Sequence, residues 1–170
     1  MNGTLRISLL LFFSLFFTSC SKHEVKEEPV EEWQIQYVTN LLEHDGLWEE
    51  YEKASPEAAK GLLEEVIEIN KRYLVDSEPE NDGAFTAALA TSYARLAMLA
   101  YFNGDYESFD RSLDEAAKYY VDFNSITKVD DMPQIKKEVL SWVYLLDNES
   151  IDWVSRLPDE FVAKWIIFGS

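Results

Sequence analysis

The sequence predicts an all-α protein made of antiparallel helical hairpins, and three observations carry that prediction. No stretch sustains the two-residue alternation with β-branched residues that a half-buried strand needs. Apolar residues recur instead at spacings of three and four, over windows long enough for helices. Only six Gly and five Pro punctuate 170 residues, too few for the many tight turns of a β fold. Apolar residues make up 47% of the chain, enough for a core, so the acidic composition does not mark a disordered tail.

Taken in order, the chain opens on an address. Arg6 supplies one positive charge and residues 7–17 form an almost unbroken apolar run. A run of about a dozen residues falls short of the ~20 that cross a bilayer as a helix. With a charged start and small residues behind it, the run reads as an export signal, residues 1–19. Thr18 and Ser19 precede Cys20, the single cysteine of the chain. Phe17-Thr18-Ser19-Cys20 resembles the lipobox of bacterial lipoproteins, with Phe where that family favours Leu. The resemblance implies cleavage before Cys20, a diacylglycerol on its sulfur and an acylated amine. Two or three acyl chains hold a protein on a membrane, whereas one does so only marginally. Ser21, rather than Asp, behind the cysteine implies by the same resemblance an outer-membrane anchor facing the periplasm.

Residues 20–32 are charged, carry one Pro and few apolar positions, and read as a flexible acidic tether. His23 lies in it. From residue 33 to residue 170 the pattern is helical. Trp33, Tyr37, Leu41 and Trp48 space like one helix face broken around Asp45-Gly46. Ser55-Pro56 is an N-cap followed by Pro at the first helical position. The helix behind it is expected to bury Ala59, Leu62, Leu63, Val66, Ile67 and Tyr73, with Lys60, Glu64, Glu68 and Lys71 facing water. An acidic loop with Pro79 spans Asp76 to Asp82, and Gly83 to Phe102 forms the most apolar helix, rich in Ala. Gly104 ends that helix and Asp105 caps the next, whose stripe is Tyr106, Phe109, Leu113, Ala116, Ala117 and Tyr120. Glu107 with Arg111 and Asp114 with Lys118 stand as outward i, i+4 pairs. Asp122 to Asp131 connects to a helix opened by Pro133, with the stripe Ile135, Val139, Trp142 and Leu146. Breaks follow at Asn148–Ser150 and Leu157-Pro158, and a last helical turn or two at Phe161–Phe168.

The segment from Tyr93 to Tyr106 reads as helix, Gly-Asp turn and second helix. Tyr93, Leu96, Ala97, Ala100, Gly104, Asp105, Tyr106, Phe109, Leu113 and Ala116 stand at the spacing of a tetratricopeptide repeat, which this segment resembles over about one repeat. Ala100, Phe109 and Val121 depart from the family pattern. Small residues at Ala97 and Ala116 let the helices close on each other, and Gly104 permits the turn. One repeat cannot bury its own faces, so the resemblance implies flanking hairpins stacked as a short solenoid or bundle. It further implies a partner groove on the first helix, with Thr91, Ala94, Met98 and Tyr101 facing it and Arg95 at its edge. Ala94 and Met98 stand where a carboxylate clamp would need Lys and Asn, so an apolar groove for a helix or extended peptide fits better.

The remaining chemistry is sparse. A net charge of −17 argues against nucleic acid, whose phosphates call for clustered Lys and Arg. One Cys and two His leave almost nothing for a transition-metal site, no phosphate-binding Gly-rich loop is present, and no metal or cofactor is expected. Glu78 to Gly83 alternates acids like a calcium loop, but Leu89 stands where a bidentate Glu is needed. His44 beside Asp45 could be imagined as a base and its orienter, yet adjacent helical residues do not face each other. The functional expectation is a lipid-anchored envelope protein, not an enzyme, that binds another envelope protein or peptide as an adaptor or assembly factor. The alternative is a small-ligand or solute-binding accessory lipoprotein, in which the aromatic residues would line a closed pocket.

Overall fold

The computed structural model of the chain describes residues 46–76, 82–124 and 131–168, all within the unit that spans Gln36–Ser170. The export signal, Cys20, the tether, the residues from Trp33 to Asp45 and most of the calcium-like loop lie outside the described residues. Among the described residues every regular element is an α-helix. They are α1 (Pro56–Asp76), α2 (Asp82–Phe102), α3 (Tyr106–Phe123), α4 (Met132–Asp147), α5 (Asp152–Ser155) and α6 (Asp159–Trp165), with helical residues 46–51 ahead of them. Gly46 is helical and the helical residues end at a turn after Tyr51, while Asp45, the other half of the expected break, lies outside the described residues.

Local chemistry sets the boundaries. Ser55 Oγ accepts from the Ala58 N–H at 3.4 Å, opening α1. α2 closes in a Schellman motif: the Asp105 N–H reaches the Ala100 carbonyl at 2.9 Å, and the Gly104 N–H reaches that of Tyr101 at 3.0 Å. The motif needs a left-handed residue, and Gly104 supplies it with φ of 75°. Asp105 also opens α3, its carboxylate accepting from the Ser108 N–H at 3.1 Å. One residue thus ends one helix and starts the next. Asp131 caps α4 in the same manner through Gln134, with Pro133 in the first turn.

α2 and α3 form the most intimate pair, and α4 lies across both while α1 packs on α2. Ala97 and Ala116 are fully buried; without longer side chains there, the helices close tightly. α1 buries Ala59, Leu63, Val66 and Ile67 as expected, and Ile69 and Asn70 as well. The buried Asn70 amide donates to the Val66 carbonyl at 2.7 Å, which gives its nitrogen a partner.

Three side-chain expectations are corrected. Tyr106 is 60% exposed: it is the first residue of α3 and meets Tyr101 edge-to-face, with ring centroids 5.4 Å apart. Leu146 is also exposed, and α4 turns Leu140, Val143 and Asp147 inward beside Ile135 and Val139. The outward pairs choose other partners: Lys118 approaches Glu115, Asp114 meets Lys136 of α4, and Arg111 donates to Ser108.

Candidate functional site

α2 is apolar on every side, as a central helix must be, and its two long faces meet different neighbours. The face expected to line a partner groove is the one the chain covers itself. Ala94 and Met98 are fully buried and Arg95 is 5% exposed. The half-buried Thr91 turns its hydroxyl back onto the Ala87 and Ala88 carbonyls. Tyr101 packs its ring on Phe161 of α6 at 4.7 Å and on Phe109 at 5.4 Å. Trp48 and Tyr51 from residues 46–51, Trp153 of α5 and Phe161 of α6 complete the cover. Of the five residues expected to line a groove, Ala94, Arg95 and Met98 are thus buried beneath segments from both ends of the described chain, while Thr91 and Tyr101 are half-buried.

Within this cover sits a buried ion pair. Arg95 Nε donates to Asp147 Oδ2 at 2.7 Å and Nη2 to Oδ1 at 2.9 Å, with side-chain exposures of 7% and 3%. Trp48 lies over the guanidinium at 4.1 Å from the ring centroid. Both carboxylate oxygens are engaged, so Asp147 is arranged as a counter-ion rather than as a base facing a substrate. Burial, and secondarily the Asp147 charge, push the neighbouring Tyr51 hydroxyl far above its ordinary pKa.

The opposite face of α2 floors an open cleft of about 680 Å³. Tyr93, Leu96, Ala100 and Asn103 run along its bottom, at the 3-4-3 spacing that keeps side chains on one helix face. α1 forms one wall with Lys60, Glu64, Glu68 and Lys71, and α3 the other with Ser108, Arg111, Ser112 and Glu115. Since α2 runs back between them, α1 and α3 point the same way along the two walls. At one end Lys71 sits 5.6 Å from the Tyr93 ring centroid and 3.3 Å from Glu68. The Tyr93 hydroxyl first, then Glu68, holds that ammonium charged to well above the usual lysine range. Tyr93 in turn stacks on Tyr119 of α3 at 5.8 Å. Lys60 and Glu64 pair loosely at 3.8 Å, an exposed contact of ~0–1 kcal/mol that can exchange partners at little cost.

Family models, curated proteins and solved structures were compared with this chain, and none matches it. The sequence pattern pointed to the face of α2 that carries Ala94, Arg95 and Met98, whereas the open cleft lies on the opposite face. Sequence reasoning missed the partner of Arg95, which lies 52 residues away, and Trp153, which covers the inner face from a four-residue helix. The signal that could have found the cleft was present: Lys60, Glu64, Glu68 and Lys71 already stood on one water-facing side of α1.

Proposed function

We propose that this chain is a lipid-anchored envelope protein, held through Cys20 at the outer membrane and facing the periplasm. On this reading it binds another envelope protein or peptide without catalysis, as an adaptor or assembly factor. One observation carries the binding part: the cleft between α1 and α3, which combines a mostly apolar floor with charged rims. That combination suits recognition of a macromolecule, where an apolar centre supplies affinity and a polar rim supplies selectivity. The tetratricopeptide-like reading of the body belongs to the same proposal, supported by the Gly104–Asp105 hairpin and by α4 lying across α2 and α3. Anchoring would raise the effective concentration of the cleft near membrane partners. The small-ligand alternative draws on a volume inside the roughly 300–1,000 Å³ range of such sites, but the charged walls favour a larger, polar-flanked partner.

The test has two arms. A photo-crosslinking amino acid at Leu96, on the cleft floor, should give a specific adduct in the native envelope, and one at the buried Met98 should not. A blank at Leu96 removes the cleft from the proposal. Labelled palmitate should enter the wild-type chain and not Cys20→Ser, which should also leave the membrane fraction. Equal labelling of both removes the anchor.

A further inference from the structure

The cleft has the geometry of a seat for an α-helix, and its surroundings state the charge that helix should carry. The floor residues Tyr93, Leu96, Ala100 and Asn103 repeat at three, four and three, the a/d spacing by which one helix accepts the knobs of another. Leu96 and Ala100, at the middle of that row, are half-buried. The walls run from the level of Lys60 to that of Lys71, about 16 Å or three turns of helix at 1.5 Å per residue. An extended strand would look for a sheet edge to pair with, and among the described residues there is none. A helix satisfies its own backbone and needs only side-chain contact, which is what this floor offers.

Charge selects among helices. A second copy would bring another −17 against the first, and self-repulsion of that size opposes docking. A basic partner is drawn in by the same field. The lining sets four acids, Glu64, Glu68, Asp105 and Glu115, against three bases, Lys60, Lys71 and Arg111, so the cleft itself is only slightly acidic and the −17 of the chain sets the preference for a basic partner. We infer that the cleft between α1 and α3 takes an amphipathic helix of about three turns, with an apolar a/d stripe flanked by Lys or Arg. This inference rests on the proposed binding role and names the chemistry of the partner.

The experiment uses the full chain in phosphatidylcholine nanodiscs, with empty discs as the blank, and three fluorescent peptides of about 18 residues. The first has a Leu a/d stripe with Lys flanks, the second the same stripe with Glu flanks, and the third the Lys form broken by a central Pro. The Lys helix should bind at least about tenfold more tightly than either of the others, and weaken about tenfold between ~0.05 and ~0.3 M salt. Ala100→Trp, which fills the floor, and Glu64→Lys with Glu68→Lys, which are exposed and should fold normally, should each lower affinity about tenfold. Equal binding of the Pro or Glu peptide overturns the inference and leaves the binding role standing. Absence of binding by all three, or indifference to both sets of substitutions, overturns the inference together with the cleft as a binding site.

Discussion

Arg95 and Asp147 put two opposite charges where water scarcely reaches, and the pair holds because each partner answers the other. Asp147→Ala would strand a guanidinium under Trp48, and should cost about 3–5 kcal/mol in urea unfolding. Replacing both together, Arg95→Met with Asp147→Leu, should recover most of that loss, since an apolar pair has no charge to desolvate. An outcome in which the double replacement is as damaging as the single would mean the pair contributes more than mutual neutralisation. Tyr51 offers the converse case. Its hydroxyl is buried and has no hydrogen-bond partner among the described residues, so Tyr51→Phe should be neutral or stabilising by about 1 kcal/mol, read by the same unfolding midpoint. Neither case could be read from the sequence. Arg95 looks like any helix-surface arginine until the residue 52 positions later is brought beside it.

The hairpin between α2 and α3 was legible, because its signals are local. Gly104 and Asp105 specify a left-handed stop and a capped start whatever surrounds them. A Cβ at Gly104 would meet nothing within 4 Å, so Gly104→Ala should cost only its backbone strain, about 1 kcal/mol in thermal or urea unfolding. Ala97→Leu, at a fully buried crossing, should cost about 1–3 kcal/mol by overpacking. The Asp105 carboxyl is held below its usual range by the Ser108 hydroxyl and then the Ser108 N–H. Its folded pKa therefore lies below the unfolded one, so the cap's contribution is complete above the ordinary carboxylate range and lost as pH falls through the folded value. Asp105→Asn should keep the cap and flatten that part of the Tm–pH curve. A curve as steep as wild type would assign the slope to other acids. Which faces helices present was less legible. α2 is apolar all round, and α4 carries the doublets Val139-Leu140 and Leu145-Leu146, each compatible with more than one inward stripe. Packing against α2 and α3 chose Leu140 and Val143, and left Leu145 and Leu146 52% and 56% exposed.

At the scale of the molecule, an acidic surface surrounds a core closed from both ends of the described chain. The fold class followed from spacing and composition, because helical periodicity survives without knowledge of neighbours. Closure did not: α5 is too short to announce itself by period, and the partners that residues 46–51 meet are not written in local spacing. Their contribution lies in where Tyr51 and Trp153 land, with ring centroids 6.4 Å apart. That arrangement has a consequence in time. A ribosome makes Arg95 well before Asp147, and Trp153 and Phe161 emerge later still. Until they arrive, the inner side of α2 has no lid and its guanidinium no counter-ion, so a nascent chain halted before residue 147 should remain protease-sensitive and lack the near-ultraviolet signature of fixed aromatics. Closure of this core therefore waits until residues 147–161 have been made.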